Sequence, residues 1–218
     1  MSTALTGART RRYPLALLVL ITVALALSGL APYDRGTWWL EIFPILIGVP
    51  ILVATYRRFP LTTLVYTLLA IHALILMLGG HYTYARVPFG FWAQDVFGFA
   101  RNHYDRLGHF AKGFVPAMLA REILLRTSPL RRGRWLFVLV TAVCLAFSAC
   151  YEFIEWGAAL AGGESADAFL GTQGDVWDTQ WDMFFALIGA ITAQLTLSKV
   201  HDRSLQKLLG KDEGQPRR

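Results

Sequence analysis

The run WWLEIFPILIGVPILVATY (38–56) is almost uninterrupted in its apolar character. About 20 apolar residues carry a helix across the hydrocarbon core of a bilayer, so this run reads as a membrane span. Five more stretches read the same way: Pro14–Leu30, Leu61–Leu78, Leu107–Leu125, Trp135–Trp156 and Thr179–Lys199. The fourth and sixth of the six spans begin with charged residues. The sequence therefore predicts an all-α fold, a polytopic membrane bundle of about six transmembrane helices. Residues 1–199 form one membrane domain and residues 200–218 a polar cytoplasmic tail.

Composition agrees with this reading. The chain has 218 residues, 55% hydrophobic and only 17% charged, with a mean hydropathy of +0.42. A soluble domain of this size normally carries more charge. The net charge of +6 does not argue for a nucleic-acid partner, because the basic residues sit in short clusters between apolar runs. The partner implied is the lipid bilayer. Cys144 and Cys150 share one apolar run. Six helical residues separate them by roughly 9 Å along the axis, beyond the roughly 7 Å a disulfide spans between Cα atoms, so both read as packing residues. Arg9, Arg11 and Arg12 before an apolar stretch resemble a signal peptide. With further spans behind it, the stretch reads as an uncleaved first helix.

Topology follows from Lys and Arg. One set of span ends holds Arg9, Arg11 and Arg12, then Arg57 and Arg58, then Arg126, Arg131, Arg132 and Arg134, then Lys199, Arg203 and Lys207. The other ends hold few basic residues before segment 81–106, and an acidic loop with Glu164, Asp167 and Asp175. Basic residues concentrate on cytoplasmic ends, which predicts a multi-pass protein of the inner (plasma) membrane with both termini cytoplasmic. The segment His81–Arg106 contains Tyr82, Tyr84, Phe89, Phe91, Trp92, Phe97 and Phe99. Such aromatics prefer the headgroup region, so an interfacial or re-entrant helix is expected between the third and fourth spans.

Folding the topology onto the polar residues brings them to one level, near the outer ends of the last three spans. Asp105, His109 and Lys112 are spaced i, i+4 and i+7 and share a helix face. Ser148, Glu152 and Glu155 repeat the pattern on the fifth span. Asp178 and Asp182 are one turn apart on the sixth, with Gly189 continuing their stripe. His81, Arg101, His103 and Asp175 flank the same face. Ionisable groups inside a membrane face the bundle interior or a wet cavity, so the three stripes are expected to face one another.

Carboxylates with a histidine on facing helices can hold a divalent metal; the set here is His109, Glu152, Glu155 and Asp182. The same groups, with Asp105, can serve as general acid and base. His81, Arg101, His103, Lys112, Asp175 and Asp178 are candidates for binding a small-molecule or lipid-linked ligand, and Lys112 and Arg101 suit an anionic group. Three functions stay open on these residues: an envelope enzyme acting on a lipid-linked substrate, a proton- or cation-coupled transporter, and a structural membrane protein with a buried polar network. There is no HExxH motif and no visible redox or nucleotide motif. His72 in the third span reads as an interhelical hydrogen-bond donor, and Glu122 as a structural partner of Arg126 at i, i+4. The glycines of Phe169–Asp175 suit a tight turn or a close approach of backbone to a ligand.

Three blocks, RNHYDRLGHF (101–110), YEFIEW (151–156) and FLGTQGDVWDTQWDM (169–183), resemble the signature blocks of the YjdF-like family of bacterial inner-membrane proteins. The resemblance implies an inner-membrane location and assigns no activity. The order Asp105 with His109, then Glu152 or Glu155, then Asp182 with Gly189 is more distantly similar to VanZ-like proteins. That likeness implies a role near the cell envelope. Ala186 stands where those proteins usually carry Asn.

Overall fold

The computed structural model describes residues 2–162 and 173–212, and all regular structure among them is helical. In chain order the elements are α1 (Ser2–Ser28), α2 (Arg35–Thr55), α3 (Thr63–Tyr82), a 3₁₀ turn at Tyr84–Arg86, α4 (Pro88–Phe97), α5 (Tyr104–Thr127), α6 (Arg134–Gly162) and α7 (Asp178–Asp212). The six long helices coincide in position with the six stretches expected to span. The short α4 is the expected interfacial segment. Pro88 opens it where a missing N–H costs nothing, and Gly98 closes it in the left-handed region at φ 67. Phe89, Phe91, Trp92, Val96 and Phe97 stand exposed on it, an aromatic surface suited to headgroup depth.

Four of the described helices, α2, α3, α6 and α7, are long and apolar enough to cross a membrane. The apolar part of α1 is shorter, Arg12–Ser28. The fourth span, α5, is less apolar than these because it carries His109, Lys112, Arg121 and Glu122, all of them buried against the rest of the bundle. The whole bundle is arranged this way. Among the described residues, ten acidic, basic or histidine side chains are buried, while Leu15, Val19, Phe43, Ile47, Val138 and Phe147 are exposed. Such a distribution is stable only where the surroundings are hydrocarbon.

Local chemistry sets the helix ends. Asp34 caps α2 by accepting from the Thr37 backbone N–H at 2.6 Å. That bond holds its carboxyl below the usual carboxylate range. Thr62 caps α3. One correction concerns the end of the chain. The sixth span was expected to stop at Lys199 before a polar tail, yet α7 continues unbroken to Asp212. Partners hold the extension in place. His201 is fully buried, and Asp202 meets Arg121 at 2.8 Å and Arg132 at 3.0 Å. Glu164, Asp167 and Phe169–Thr172 lie outside the described residues.

Two apolar clusters carry the packing. One joins α1, α2 and α3 through Ile21, Trp38, Ile42, Ile45, Leu76 and Met77. The other joins α3, α5, α6 and α7 through Val65, Met118, Val140, Cys144, Ala190 and Ala193. The tightest seam lies between α5 and α7. A Cβ on Gly113 would stand 1.8 Å from the Ala186 carbonyl oxygen, and one on Gly189 would stand 2.1 Å from that of Phe110. Small residues let membrane helices approach this closely. The seam brings the first turns of α5 and α7 together beside the far end of α6.

Candidate functional site

At the end of the bundle where α5 and α7 begin, His109 is buried with 3% of its surface exposed. Each of three helices brings it a carboxylate. Asp105, one turn earlier on α5, stands 3.5 Å from Nε2. Glu152 of α6 stands 3.6 Å from Nδ1. Asp182 of α7 stands 3.7 Å from Nε2. The facing stripes expected from the sequence thus meet on one imidazole. Lys112 lies on the Nε2 side as well, with Nζ 3.3 Å from that nitrogen. Its ammonium is 3.9 Å from Glu155 and sits over the Tyr151 ring, 3.6 Å from the centroid.

The two sides of the imidazole therefore differ. On the Nε2 side a cation of the protein is already present. On the Nδ1 side, His109 Nδ1 and Glu152 Oε1 are both buried and meet no hydrogen-bond partner among the described residues. Asp182 Oδ1 and Ser148 Oγ are in the same condition. Buried polar atoms are nearly always paired, and four unpaired ones in one place are a strong local feature. The donor atoms also fit a metal. One atom each from His109, Glu152 and Glu155 lie within 4.8 Å of one another, and so do those of Asp105, His109 and Asp182. Ligands about 2.1 Å from a shared ion lie roughly 3–3.5 Å apart, close to the separations seen around His109.

Next to this centre, Arg101 donates to Asp175 at 3.1 Å and to Asp178 at 2.7 Å, and Arg106 donates to Asp175 at 2.9 Å. These bonds fasten the segment before α7 to the start of α5. Arg106 also lies over the rings of Trp181 and Phe185, at 5.0 and 5.8 Å. Asn102 is the hinge pin of the same corner. Its amide donates to the Val87 carbonyl at 3.0 Å and its oxygen accepts from the Tyr104 N–H at 3.0 Å. Gly90 leaves it room, since a Cβ there would lie 1.7 Å from that oxygen. His103, just before α5, lies edge-on to Phe99. Burial and the neighbouring Arg106 and Arg101 pull its imidazole below the ordinary histidine range. His81 has other company: its Nδ1 lies 2.8 Å from the Ser28 carbonyl oxygen and its ring meets Tyr82 edge-on.

Glu41 was not among the residues expected here. It sits buried on α2, close enough to Lys112 and Asp105 to feel their charges and to Tyr84 for a hydrogen bond. The signal was available, since an ionisable residue within a membrane span marks a site by default. Nor was the tie between Glu122 and His201 expected. Glu122 accepts from the Thr62 N–H and hydroxyl at 2.9 and 2.7 Å, from Arg126 at 3.0 Å and from His201 at 3.0 Å. An arginine can only donate, so the 2.6 Å contact from Arg121 to His201 Nδ1 places the imidazole proton on Nε2, facing Glu122. This second cluster is saturated with partners. His72, expected to bond across helices, has a buried Nε2 that meets no partner among the described residues.

A family model described as "Predicted membrane protein (DUF2238)" matches residues 13–203. The inner membrane protein YjdF of Escherichia coli (strain K12) is 54% identical over 187 residues, which is 86% of this chain and 90% of that protein. No solved structure matches. Neither match is to a VanZ-like protein, and that likeness carries no functional weight. The matched residues span the helices that bear the His109 cluster and reach His201, so the chain belongs to the DUF2238 family of membrane proteins.

Proposed function

We propose that this inner-membrane protein is an envelope enzyme, a hydrolase or transferase that acts on a lipid-linked substrate at the outer face of the membrane through a divalent metal. One observation carries the reading. Three carboxylates from three helices surround one buried histidine, and His109 Nδ1, Glu152 Oε1 and Asp182 Oδ1 are left without partners among the described residues. A scaffold network would be expected to pair such atoms, as the Glu122 cluster does.

His109, Glu152 and Glu155 would hold the metal on the Nδ1 side; Asp182, 3.7 Å from Nε2, groups instead with Asp105 on the other side of the ring. The metal would supply Lewis acidity at the bond to be broken. Asp105 and Asp182 lie on the Nε2 side, where a carboxylate can take the proton of an attacking hydroxyl. Lys112 offers positive charge to an anionic group of the substrate. A lipid substrate is favoured by the neighbourhood: an aromatic cleft of about 310 Å³, lined by Phe89, Trp92, Phe97, Phe99, Tyr104 and Leu107, opens beside the first turn of α5. Polar chemistry and an apolar cleft side by side suit an amphiphile. A transport path is less favoured, because Val115, Met118, Val140, Cys144 and Ala190 are buried apolar residues that form a layer between the His109 and Glu122 clusters.

Two experiments test this. The protein purified without chelators is expected to carry a divalent metal, or to melt higher when manganese or zinc is added. His109→Ala and Glu152→Gln should lose that response while still yielding monodisperse protein. If wild type neither binds nor responds, and Glu152→Gln, Glu155→Gln and Asp182→Asn all melt well below it, the cluster is a scaffold and the enzyme reading falls. The orientation is tested by reporter fusions. Fusions after Arg58, after Arg132 and at the C-terminus should report cytoplasm, as the basic clusters require, and a fusion near Arg86 should report the periplasm. A cytoplasmic signal near Arg86 would turn the site to the other face.

A further inference from the structure

At the end of α2 away from His109 lies a second cleft, of about 490 Å³. Its origin is visible in the helices around it. Near their connecting loop, α1 and α2 are held together: Trp38 donates from its indole to the Ser28 hydroxyl at 3.2 Å and packs with Ile21. Further along, α2 carries Pro44 and Pro50 in its interior. Each removes a backbone hydrogen bond and bends the helix. α1 instead stays on α3, with the Tyr13 hydroxyl 2.7 Å from that of Thr67. The gap between α1 and α2 is floored by α3. Leu18, Val49, Leu52, Val53, Leu69 and Ala70 make its walls apolar, and Arg57 stands among the lining residues at the end of α2.

We propose that this cleft is a binding site for a single anionic phospholipid, one acyl chain lying between α1 and α2 and the phosphate on Arg57. The cleft lies between helices at membrane depth, so its natural occupant is hydrocarbon. The charge selects which hydrocarbon. Arg57 is exposed and lines the cleft, so the mouth presents a guanidinium where a lipid phosphate lies, and guanidinium binds phosphate bidentately. Nothing in this site depends on the proposed activity, which sits at the opposite end of the spans.

Native mass spectrometry of detergent-purified full-length protein, titrated with phosphatidylglycerol or phosphatidylcholine, tests the proposal. A single phosphatidylglycerol should be retained in preference to phosphatidylcholine. Arg57→Gln should weaken it about fivefold, the effect of one basic residue at a lipid surface. Ala54→Trp fills the cleft from an exposed position on its rim, so it should abolish retention without lowering the melting temperature; Val53→Trp repeats the test from the neighbouring position. Equal retention of both lipids, or retention unchanged in Arg57→Gln and in both tryptophan variants, overturns the proposal. So does a wild type that binds no lipid and is a dimer, with Ala54→Trp monomeric, because the cleft would then be covered by a second copy of this chain.

Discussion

Gly113→Ala is expected to yield no folded protein, although it adds a single methyl group to a helix. In a free helix the change would help, since glycine costs about 1 kcal/mol relative to alanine. Here the new Cβ would lie 1.8 Å from the Ala186 carbonyl oxygen, 2.6 Å from its carbon and 2.8 Å from its Cα. Backbone cannot rotate aside as a side chain can, so α5 and α7 must separate along the seam that brings Asp182 to His109. Overpacking typically costs about 1–3 kcal/mol and more where nothing yields. Gly189→Ala meets the Phe110 carbonyl oxygen at 2.1 Å and should fail in the same way. Gly157→Ala on α6 is the control, because nothing lies within 4 Å of its new atom; it should melt at or above wild type. Ala186→Gly should not rescue Gly113→Ala, because the obstacle is a main-chain oxygen that glycine keeps. Monodispersity and melting temperature in detergent read all of these variants. A folded Gly113→Ala protein with wild-type stability would show that the two helices are not in backbone contact at this seam.

The second large effect is expected at Glu122→Ala. The carboxylate is fully buried and accepts bonds from Thr62, Arg126 and His201. Removing it strands the Thr62 N–H, the Arg126 charge and the His201 proton at once. Losing one partner of a buried ion pair costs about 3–5 kcal/mol, a large share of a typical net stability. Glu122→Gln keeps one acceptor oxygen and should be milder, though its NH₂ must face a donor. The melting temperature should fall steeply for alanine and less for glutamine, with metal content unchanged in whatever protein folds. If Glu122→Ala melts like wild type, the network is not structural. The contrast with Glu152 is the point of the experiment. Glu122 is saturated with partners, whereas Glu152 Oε1 has none among the described residues. Neutralising Glu152 should leave stability equal or raised, since grouped carboxylates at functional sites are held at a cost to the fold.

Much of this protein was legible in its residues. The apolar runs gave the helices, because a bilayer requires backbone groups to be satisfied within each segment. The aromatic segment 81–106 gave α4. The i, i+4 and i+7 spacings on the fourth and fifth spans, with the one-turn pair Asp178 and Asp182 on the sixth, gave the stripes that meet at His109. Glu41 and Tyr84 were harder to place. They lie on elements whose rotation about their own axes is set by packing and leaves no mark in spacing. The extension of α7 to Asp212 also escaped, because a polar stretch after a span reads as a tail until its buried partners are known. His201, 79 positions from Glu122, is such a partner.

The sequence by itself determined the class, the number of long helices and the level at which the ionisable residues gather. Hydrophobicity and helical period are local properties, carried by each segment alone. Only the tertiary structure decided which polar groups are paired and which are not. It separated a saturated cluster at Glu122 from an unsaturated one at His109, and it did so through a glycine seam that fixes α5 against α7. Pairing depends on distances between helices, and those distances are set by the fit of one backbone against another.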